Sequence, residues 1–333
     1  MRFPLSMTSS IASYVVKKKL SRTKKFPMVL MLEPLHACNL TCTGCGRIRE
    51  YVSTIKQKLT IQECLDSVDE CGAPVVSICG GEPMIYPGID ELVAKILERK
   101  KVVYLCTNGM FIRKKLDGFK PSNKFFFNVH LDGMKKNHDI AVEREGVFDS
   151  AIDGIKAAKE AGFLVCSNTT VYKETEMEEL DELFGFLTKL GVDGFMIAPG
   201  YGYSAVEDKE MFMTRDDIRA KFRAAESMFR KYKFNTSPIY LEFLQGKREM
   251  SCTAWGNPTR NIKGWKGPCY LITDIHHNSF DDLLNKTPWE KYGYGKDPRC
   301  ENCMVHSGYE ASAALGVNGK LGDTLKMIKW QFT

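Results

Sequence analysis

The sequence lacks the features of an exported or membrane-spanning chain. No stretch approaches the roughly 18 consecutive apolar residues that a membrane-spanning helix needs. Residues 1–16 contain Ser9, Ser10 and Ser13 and have no sustained apolar core, so no signal peptide is predicted. No internal repeat or low-complexity tract is visible. Disulfide bonds are therefore not expected for the 12 cysteines, and so many thiols in a cytosolic chain indicate metal binding or thiol chemistry.

Size and charge limit the remaining classes of protein. The chain has 333 residues, of which 44% are hydrophobic and 26% charged. That is enough for one barrel-type domain with an appended segment, or for two small domains. The net charge of +6 fits an anionic membrane, an anionic cofactor or an acidic redox partner. No nucleic-acid partner is expected, because the basic residues are scattered outside the N-terminus.

Residues 1–26 form a predicted basic leader. Ile11, Tyr14, Val15 and Leu20 can share one helical face, and six basic residues lie between positions 17 and 25. A basic amphipathic helix can lie on an anionic membrane. The alternative is a solvated helix that packs against the main domain. We therefore expect a cytoplasmic protein, with peripheral contact to the cytoplasmic membrane under the first interpretation.

Residues 27–235 alternate between short apolar strands and helical segments. This alternation predicts a parallel sheet with helices outside it, and both an open doubly wound sheet and a partial barrel fit. Capping boxes are predicted at Thr60 with Glu63 and at Thr175 with Glu178. Residues 236–333 break the pattern and are predicted to form an irregular, cysteine-containing extension. The predicted strands span 28–33, 75–79, 102–107, 125–132, 163–171 and 194–198, and the predicted helices 61–70, 89–99, 111–116, 149–161, 177–190 and 216–232.

Three closely spaced cysteines follow the first predicted strand. Cys38, Cys42 and Cys45 are separated by three and two residues, and thiolates are the usual ligands of iron–sulfur clusters. A cubane has four irons, so three protein ligands leave one iron open. An open iron can chelate the amino and carboxylate groups of S-adenosylmethionine (SAM). The alternatives are a zinc site that lacks one ligand and thiols that only pack.

Glycine-rich and polar segments follow the other predicted strands. Gly80, Gly81 and Glu82 come directly after the second strand. Glycine permits a close backbone approach, and the carboxylate can accept a hydrogen bond from an ammonium group. In parallel α/β folds, ligand sites form at the carboxyl ends of the strands. Each segment alone also fits an ordinary turn, and His130 and Asp132 fit a structural role equally well. The other polar strand ends are 106–109, 130–133, 167–170 and 198–201.

These motifs resemble those of the radical SAM superfamily over about half of the chain. The resemblance implies a partial (β/α)6 barrel, which decides between the two architectures. It also implies that Cys38, Cys42 and Cys45 ligate a [4Fe–4S] cluster and that SAM is a co-substrate. One departure is Gly44, where many members carry an aromatic residue. The residues implied to contact SAM are Gly80, Gly81, Glu82, Asn108, Asn168, Ala198 and Tyr201.

A closer resemblance, over nearly the whole chain, is to the adenosylhopane synthases, a family of hopanoid-biosynthesis radical SAM enzymes. It implies that a 5′-deoxyadenosyl radical from SAM adds to the terminal alkene of a hopene such as diploptene. It also implies an electron donor of the flavodoxin or ferredoxin type. An apolar substrate strengthens the membrane interpretation of the leader. The segments that carry this resemblance are 30–34, 68–77, 104–108, 129–133, 252–260, 268–271 and 303–306.

Cys106, at the end of the third predicted strand, is the candidate for the last step of such a reaction. The product radical must take up a hydrogen atom, and an S–H bond is weaker than an alkyl C–H bond. The neutral thiol is the required form, and an apolar pocket would keep it protonated. The matching position of the family also carries cysteine. The alternative is a buried small hydrophobe.

The other cysteines and the competing functions are less specific. Cys252, Cys269, Cys300 and Cys303 fit a zinc site, a second iron–sulfur cluster, a packed region or a disulfide. His306 is a further candidate ligand, and Ser307 stands where relatives carry another cysteine. Competing functions are addition to another lipid or isoprenoid alkene, hydrogen abstraction from a peptide, and a non-catalytic iron–sulfur or zinc protein. The predicted core cysteines are Cys64, Cys71, Cys79 and Cys166.

Overall fold

The computed structural model describes residues 2–316 and 319–332. All six strands of the predicted βα pattern are present, within two residues of their predicted ends. Each pairs in parallel with the next one along the chain, so their carboxyl ends lie at one edge of the sheet. Their bounds are β1 (Val29–Leu32), β2 (Val75–Ile78), β3 (Val102–Thr107), β4 (Phe125–His130), β5 (Leu164–Val171) and β6 (Gly194–Pro199).

The C-terminal extension continues the same sheet beyond β1. Strand β7 (Thr259–Asn261) pairs in parallel with β1, and β8 (Gly264–Pro268) and β9 (Thr273–His277) follow as antiparallel neighbours. The resulting strand order is β6-β5-β4-β3-β2-β1-β7-β8-β9. The sequence did not indicate the last three strands, because they are short and their glycine, proline and charged residues give no alternating pattern.

Helices follow most of the parallel strands. The predicted helix over 216–232 is in fact two helices, Arg215–Ala224 and Glu226–Lys231, which meet at Ala225. The helices are α1 (Leu5–Leu20), α2 (Arg47–Glu50), α3 (Ile61–Cys71), α4 (Ile89–Glu98), α5 (Ile112–Lys115), α6 (Lys135–Ala141), α7 (Val147–Glu160), α8 (Met177–Lys189), α9 (Arg215–Ala224), α10 (Glu226–Lys231), α11 (Pro238–Leu244), α12 (Phe280–Lys286), α13 (His306–Leu315) and α14 (Leu321–Phe332).

The two predicted capping boxes had different outcomes. The box of Thr60 and Glu63 is present at the start of α3. The second prediction is wrong: α8 begins after Glu176 without a side-chain cap. The Thr175 hydroxyl instead accepts a hydrogen bond from the backbone N–H of Tyr172, 2.9 Å away. A local turn has therefore taken up the hydroxyl that the helix start needed.

The strands are apolar on both faces because both faces are covered. Phe125 and Phe127 contact the main core between the sheet and the helices, whereas Phe126 points to the opposite face. There it meets Val75, Tyr104 and further side chains from alternate strand positions. Burial on both faces is typical of parallel sheets. The predicted core cysteines Cys64, Cys71, Cys79 and Cys166 are all buried.

The leader helix α1 is a structural part of the fold. Met7 is buried among the inward-facing side chains of the strands, with Phe3 and Ile11 beside it. Tyr14 and Val15 pack against a second cluster around Phe26. Three of the four residues of the predicted membrane face therefore pack against the rest of the protein. This corrects the prediction that this face of the helix lies on a membrane. Within the described residues, no helix combines the length and apolar character needed to cross a membrane.

Candidate active site

The cysteine loop lies at the carboxyl end of β1. The side chains of Cys38 and Cys42 contact apolar neighbours that include Leu40 and Val142. Arg49 fixes the loop from outside, donating to the carbonyls of Cys42 and Cys45 at 2.9 and 2.6 Å. The three predicted ligands are thus presented from one short, well-anchored loop.

Burial favours the neutral form of two thiols of this loop. Burial raises the pKa of Cys38 to about 11, and the nearby Cys45 sulfur contributes to the increase. Burial and the same neighbour raise the pKa of Cys42. A bound cation would reverse this effect, since ligation deprotonates the thiol. In residues 2–316 and 319–332, no three Cys, His, Asp or Glu side chains lie close enough to hold a single metal ion.

The turn after β2 packs directly on this loop. The N–H groups of Gly81 and Glu82 donate to the carbonyls of Leu35 and Ala37 at 3.1 and 2.9 Å. A Cβ atom at Gly81 would stand only 1.9 Å from the Ala37 carbonyl oxygen, and one at Gly80 only 2.3 Å from the Leu35 oxygen. Gly80 also has a φ of +106°. The glycines are therefore needed for the approach of the cysteine loop, and contact with SAM stays a prediction.

Glu82 ties the ends of β2 and β3 together. Its carboxylate accepts hydrogen bonds from the Thr107 hydroxyl at 2.7 Å and from the backbone N–H groups of Asn108 and Met84 at 2.8 and 2.9 Å. Burial raises its pKa despite these donors. Asn108 in turn donates to the Asn39 side chain on the cysteine loop at 2.9 Å. One network thus joins the turn, β3 and the loop.

Cys106 lies on the inward face of the strands. Its sulfur is 3.2 Å from the Ser77 hydroxyl and 3.5 Å from the side-chain nitrogen of Asn128. Tyr104, two residues earlier on the same strand face, belongs to the apolar inner cluster. Burial raises the pKa of Cys106, so the group is a neutral thiol at ordinary pH.

The later strand ends contribute a second polar group. The His130 ring lies 2.8 Å from the Asp132 carboxylate, which outweighs burial and raises the histidine's pKa. Asn168 is paired in register with His130, on β5. Ala198 is buried near the end of β6. Tyr201 instead lines a cavity with the C-terminal cysteines, and its predicted contact with adenine stays a prediction.

Comparison with known proteins decides the family. Residues 32–187 match the Radical SAM superfamily, and this segment contains all three cysteines, the Gly80–Glu82 turn, the last residue of β1 and all of β2 to β5. Residues 32–187 form a radical SAM domain. Its cofactors are accordingly a [4Fe–4S] cluster and SAM. Residues 195–327 match a domain of unknown function, DUF3463.

Relatives of several activities share this radical SAM domain. The chain is 26% identical over 337 residues to the antilisterial bacteriocin subtilosin biosynthesis protein AlbA of Bacillus subtilis (strain 168), covering 93% of this chain and 73% of AlbA. It is 32% identical over 168 residues to GTP 3′,8-cyclase 1 of Mycobacterium tuberculosis (strain ATCC 25618 / H37Rv), covering 47% of each protein. The chain therefore spans about half the length of that cyclase.

Solved structures with the same fold confirm the partial barrel. Streptococcus suis SuiB bound to precursor peptide SuiA superposes with a TM-score of 0.65 at 18% identity, over 91% of this chain and 76% of that one. Native anSMEcpe with bound AdoMet superposes with a TM-score of 0.57 at 14% identity, over 92% of this chain and 97% of that one. The radical SAM partial barrel with a C-terminal extension is thus confirmed.

The departure at Gly44 has a structural explanation that the sequence did not reveal. The Tyr172 ring, from the end of β5, occupies the space beside this glycine. A Cβ atom at position 44 would stand 2.2 Å from the Tyr172 hydroxyl oxygen, and one at Gly200 would stand 2.6 Å from the same ring. The aromatic group that many radical SAM enzymes carry on the loop is here supplied from another strand.

We expect Gly44→Phe to disturb the cysteine loop and Tyr172→Ala to relieve the disturbance. Two rings cannot share the space, and overpacking of this kind costs about 1–3 kcal/mol. The single Gly44→Phe variant should unfold at lower temperature and retain less iron than the wild type. The Gly44→Phe/Tyr172→Ala variant should recover both properties. Equal losses in the single and double variants would show that Tyr172 does not compete with a side chain at position 44 for the same space.

A buried ion pair behind the cysteine loop was also missed in the sequence. Arg47 directly follows the loop, and its guanidinium lies 2.8 Å from the carboxylate of Glu33. The exposed fractions of the two side chains are 4% and 0%. Arg47 also stacks over the Tyr270 ring at 4.1 Å and donates to the Tyr270 carbonyl. It thereby joins β1, the cysteine loop and the C-terminal extension.

Proposed function

We propose that this radical SAM enzyme adds the 5′-deoxyadenosyl group of SAM to the terminal alkene of a hopene such as diploptene, to give adenosylhopane. The observation that carries the proposal is the neutral thiol of Cys106 on the inward face of the barrel. The bound cluster and SAM supply the 5′-deoxyadenosyl radical, with electrons from a flavodoxin- or ferredoxin-type donor. The protein's own residues then have to complete the addition.

An addition reaction leaves an unpaired electron on the product. One new C–C bond forms at the alkene terminus, and the neighbouring carbon becomes the radical centre. Cys106 donates a hydrogen atom to that carbon and becomes a thiyl radical. One electron from the same external donor and one proton from water restore the thiol. In an oxidative peptide cross-link, the product radical would instead have to lose an electron. Such a reaction would not need a hydrogen-atom donor like Cys106.

Exposed apolar side chains on the two terminal helices support a membrane-resident substrate. Leu5, Val16 and Leu20 recur at intervals that place them on one face of α1, away from the packed face. Leu325, Ile328 and Phe332 are three and four residues apart on α14 and are 52–71% exposed. The segment just before α1 contacts α14, where Phe3 packs on Trp330 at 5.6 Å. We call these six residues the terminal surface: Leu5, Val16, Leu20, Leu325, Ile328 and Phe332.

The charge around the terminal surface fits an anionic bilayer. Lys17, Lys19 and Lys329 are exposed on the same two helices, and each basic residue near an anionic membrane contributes about 1 kcal/mol of attraction. On α1, the proposed contact shares only Leu20 with the face that the sequence predicted, and otherwise uses Leu5 and Val16. Peripheral attachment would bring the enzyme to a substrate that dissolves in lipid.

Polar substitutions on the terminal surface should weaken vesicle binding. We expect Leu20→Ser/Phe332→Ser to bind anionic vesicles about tenfold more weakly, since burying either side chain contributes more than the roughly 1.4 kcal/mol that a tenfold change requires. Sedimentation with phosphatidylserine-containing and neutral vesicles measures the effect. Ile140→Ser, at a similarly exposed isoleucine on α6, is the matched control. Unchanged sedimentation of the double variant would remove this support for a lipid substrate.

The second candidate is a peptide-modifying radical SAM enzyme, and the relatives favour it more directly. AlbA is a subtilosin biosynthesis protein, and SuiB has been solved with a precursor peptide. The match to AlbA extends over 93% of this chain. The C-terminal thiols also fit this class.

An anaerobic assay separates the two candidates. The reconstituted protein is incubated with SAM, a reductant and detergent-dispersed diploptene, and the products are analysed by mass spectrometry. An adduct of diploptene and the 5′-deoxyadenosyl group, with methionine released in equal amount, supports the main proposal. Release of 5′-deoxyadenosine without an adduct contradicts it and directs the search to other alkenes and peptides.

A further inference from the structure

Two polar side chains contact the sulfur of Cys106 inside the barrel. The hydroxyl oxygen of Ser77, on β2, lies 3.2 Å from the sulfur, and the side-chain nitrogen of Asn128, on β4, lies 3.5 Å from it. Both residues are buried, with exposed fractions of 8% and 5%. They belong to the strands on either side of β3, which carries Cys106. The sulfur is therefore held between neighbours from two different strands.

Both neighbours act as hydrogen-bond donors to the sulfur. The NH₂ group of a side-chain amide can only donate. The Ser77 hydroxyl can donate or accept, but a thiol S–H is a weak donor, so the hydroxyl donates to the sulfur. These two bonds use lone pairs of the sulfur and leave the single hydrogen of the thiol unused by either neighbour. The hydrogen that Cys106 would give to a radical is thus available for transfer.

Packing alone does not explain an amide at position 128. Within residues 2–316 and 319–332, the side-chain oxygen of Asn128 is buried and has no hydrogen-bond partner. A buried acceptor without a partner destabilises the fold, and an apolar side chain of the same shape would avoid that penalty. Its neighbours on this face of the sheet include Phe126 and Cys166, which belong to the apolar inner cluster. The contact with Cys106 is what the amide adds.

The same two bonds favour the return of the thiol after hydrogen-atom transfer. The transfer leaves a thiyl radical on Cys106, and one electron from the external donor converts it to a thiolate. One proton from water then restores the thiol. Hydrogen bonds to an ionised acceptor are stronger than those to a neutral one, so Ser77 and Asn128 stabilise the thiolate most. They oppose the burial that raises the pKa of Cys106.

We propose that Ser77 and Asn128 are positioning residues for hydrogen-atom transfer from Cys106. They hold its sulfur through two accepted hydrogen bonds, keep its S–H hydrogen free for the product radical and stabilise the thiolate that forms afterwards. The inference rests on the proposed function, in which Cys106 is the hydrogen-atom donor.

The S–H stretching vibration tests this hydrogen-bond pattern without any substrate. Infrared difference spectra between the anaerobically reconstituted wild type and Cys106→Ala isolate the band of this thiol. We expect the frequency of a thiol that does not donate, since an S–H group that donates a hydrogen bond absorbs at lower frequency. A band at the lower frequency that moves up in Ser77→Ala would show that the thiol donates to Ser77, and would overturn the proposal.

Product analysis tests the use of this arrangement in the reaction. Ser77→Ala and Asn128→Leu should each lower the ratio of adduct to 5′-deoxyadenosine about three- to tenfold, the effect of losing one hydrogen bond of ordinary strength. The total amount of SAM cleaved should stay the same. Ser77→Thr keeps the hydroxyl and should restore the ratio. Unchanged ratios in both truncated variants, at the iron content of the wild type, would overturn the proposal.

Ser67→Ala is the matched control for loss of a buried serine hydroxyl. Ser67 is buried on α3 and donates to the Glu63 carbonyl at 2.7 Å, so its replacement should leave the product ratio unchanged. A fall as large as that in Ser77→Ala would assign the effect to stability and overturn the proposal. If the wild type forms no adduct, the proposed function fails, whereas the infrared band still decides whether the sulfur is held as described.

Discussion

Cys106→Ala is expected to lower adduct formation at least about tenfold while SAM cleavage continues. The thiol lies apart from the predicted cluster ligands, so its removal leaves the cluster and the Glu82 network in place. What it removes is the hydrogen atom that the product radical needs. The radical formed on the product would then revert or be quenched without control. Both 5′-deoxyadenosine and adduct are counted by mass spectrometry against methionine.

Deuterium incorporation into the product distinguishes hydrogen-atom donation by Cys106 from a role in packing alone. A thiol exchanges its proton with water, so product formed by the wild type in D₂O should carry one deuterium at the former radical carbon. Residual product of Cys106→Ala should lose that pattern. Cys71→Ala, at a buried cysteine on α3, should retain it. Loss of SAM cleavage in a folded, fully clustered Cys106→Ala variant would contradict the role.

Arg47→Met is expected to lower the free energy of unfolding by about 3–5 kcal/mol, the usual cost of leaving one buried charge without its partner. Burial raises the pKa of Glu33, but Arg47, His36 and Lys266 lower it to about 2. Loss of Arg47 removes the largest of the effects that lower this pKa, so burial would then disfavour the charged carboxylate. Denaturant unfolding of the cluster-free chain, kept reduced, measures the change.

The double variant Glu33→Gln/Arg47→Met provides the control. Removing both charges leaves no buried ion, so it should recover at least half of the lost free energy. Lys266 can adapt, because burial and Arg47 already lower its pKa to about 8. A double variant as unstable as Arg47→Met would mean that packing on Tyr270, rather than charge, is the larger contribution.

The sequence predicted the parts of this protein whose signals are local. Strands β1 to β6 follow from short apolar runs, and the cysteine loop from the spacing of its three thiols. It could not predict contacts between distant segments. Tyr172 contacts Gly44 only because β5 ends beside the cysteine loop, and Arg47 contacts Tyr270 only because β7 and β8 continue the sheet.

Some local signals failed because a competing interaction prevailed. The Thr175 hydroxyl caps a turn instead of α8. The apolar face of α1 packs against the inward-facing side chains of the strands. Hydrophobic periodicity cannot distinguish such a face from one that contacts a membrane. From the sequence, the four C-terminal cysteines fitted a metal site, a packed region or a disulfide. The sequence could not show that they line one cavity, because their convergence depends on the path of three separate loops.

The position of β7 beside β1 determines how the sheet resists aggregation. Without residues after 235, β1 would present an unpaired row of backbone N–H and C=O groups, a template for edge-to-edge pairing with other chains. At the β6 edge of the sheet, Phe234 forms an isolated parallel β-bridge with Phe195, and the Thr236 hydroxyl accepts a hydrogen bond from the Ile197 N–H. A fragment that stops at residue 235 should therefore precipitate rather than fold as a small enzyme. A partner that binds by adding a strand would instead find β9, the outermost strand beyond β8.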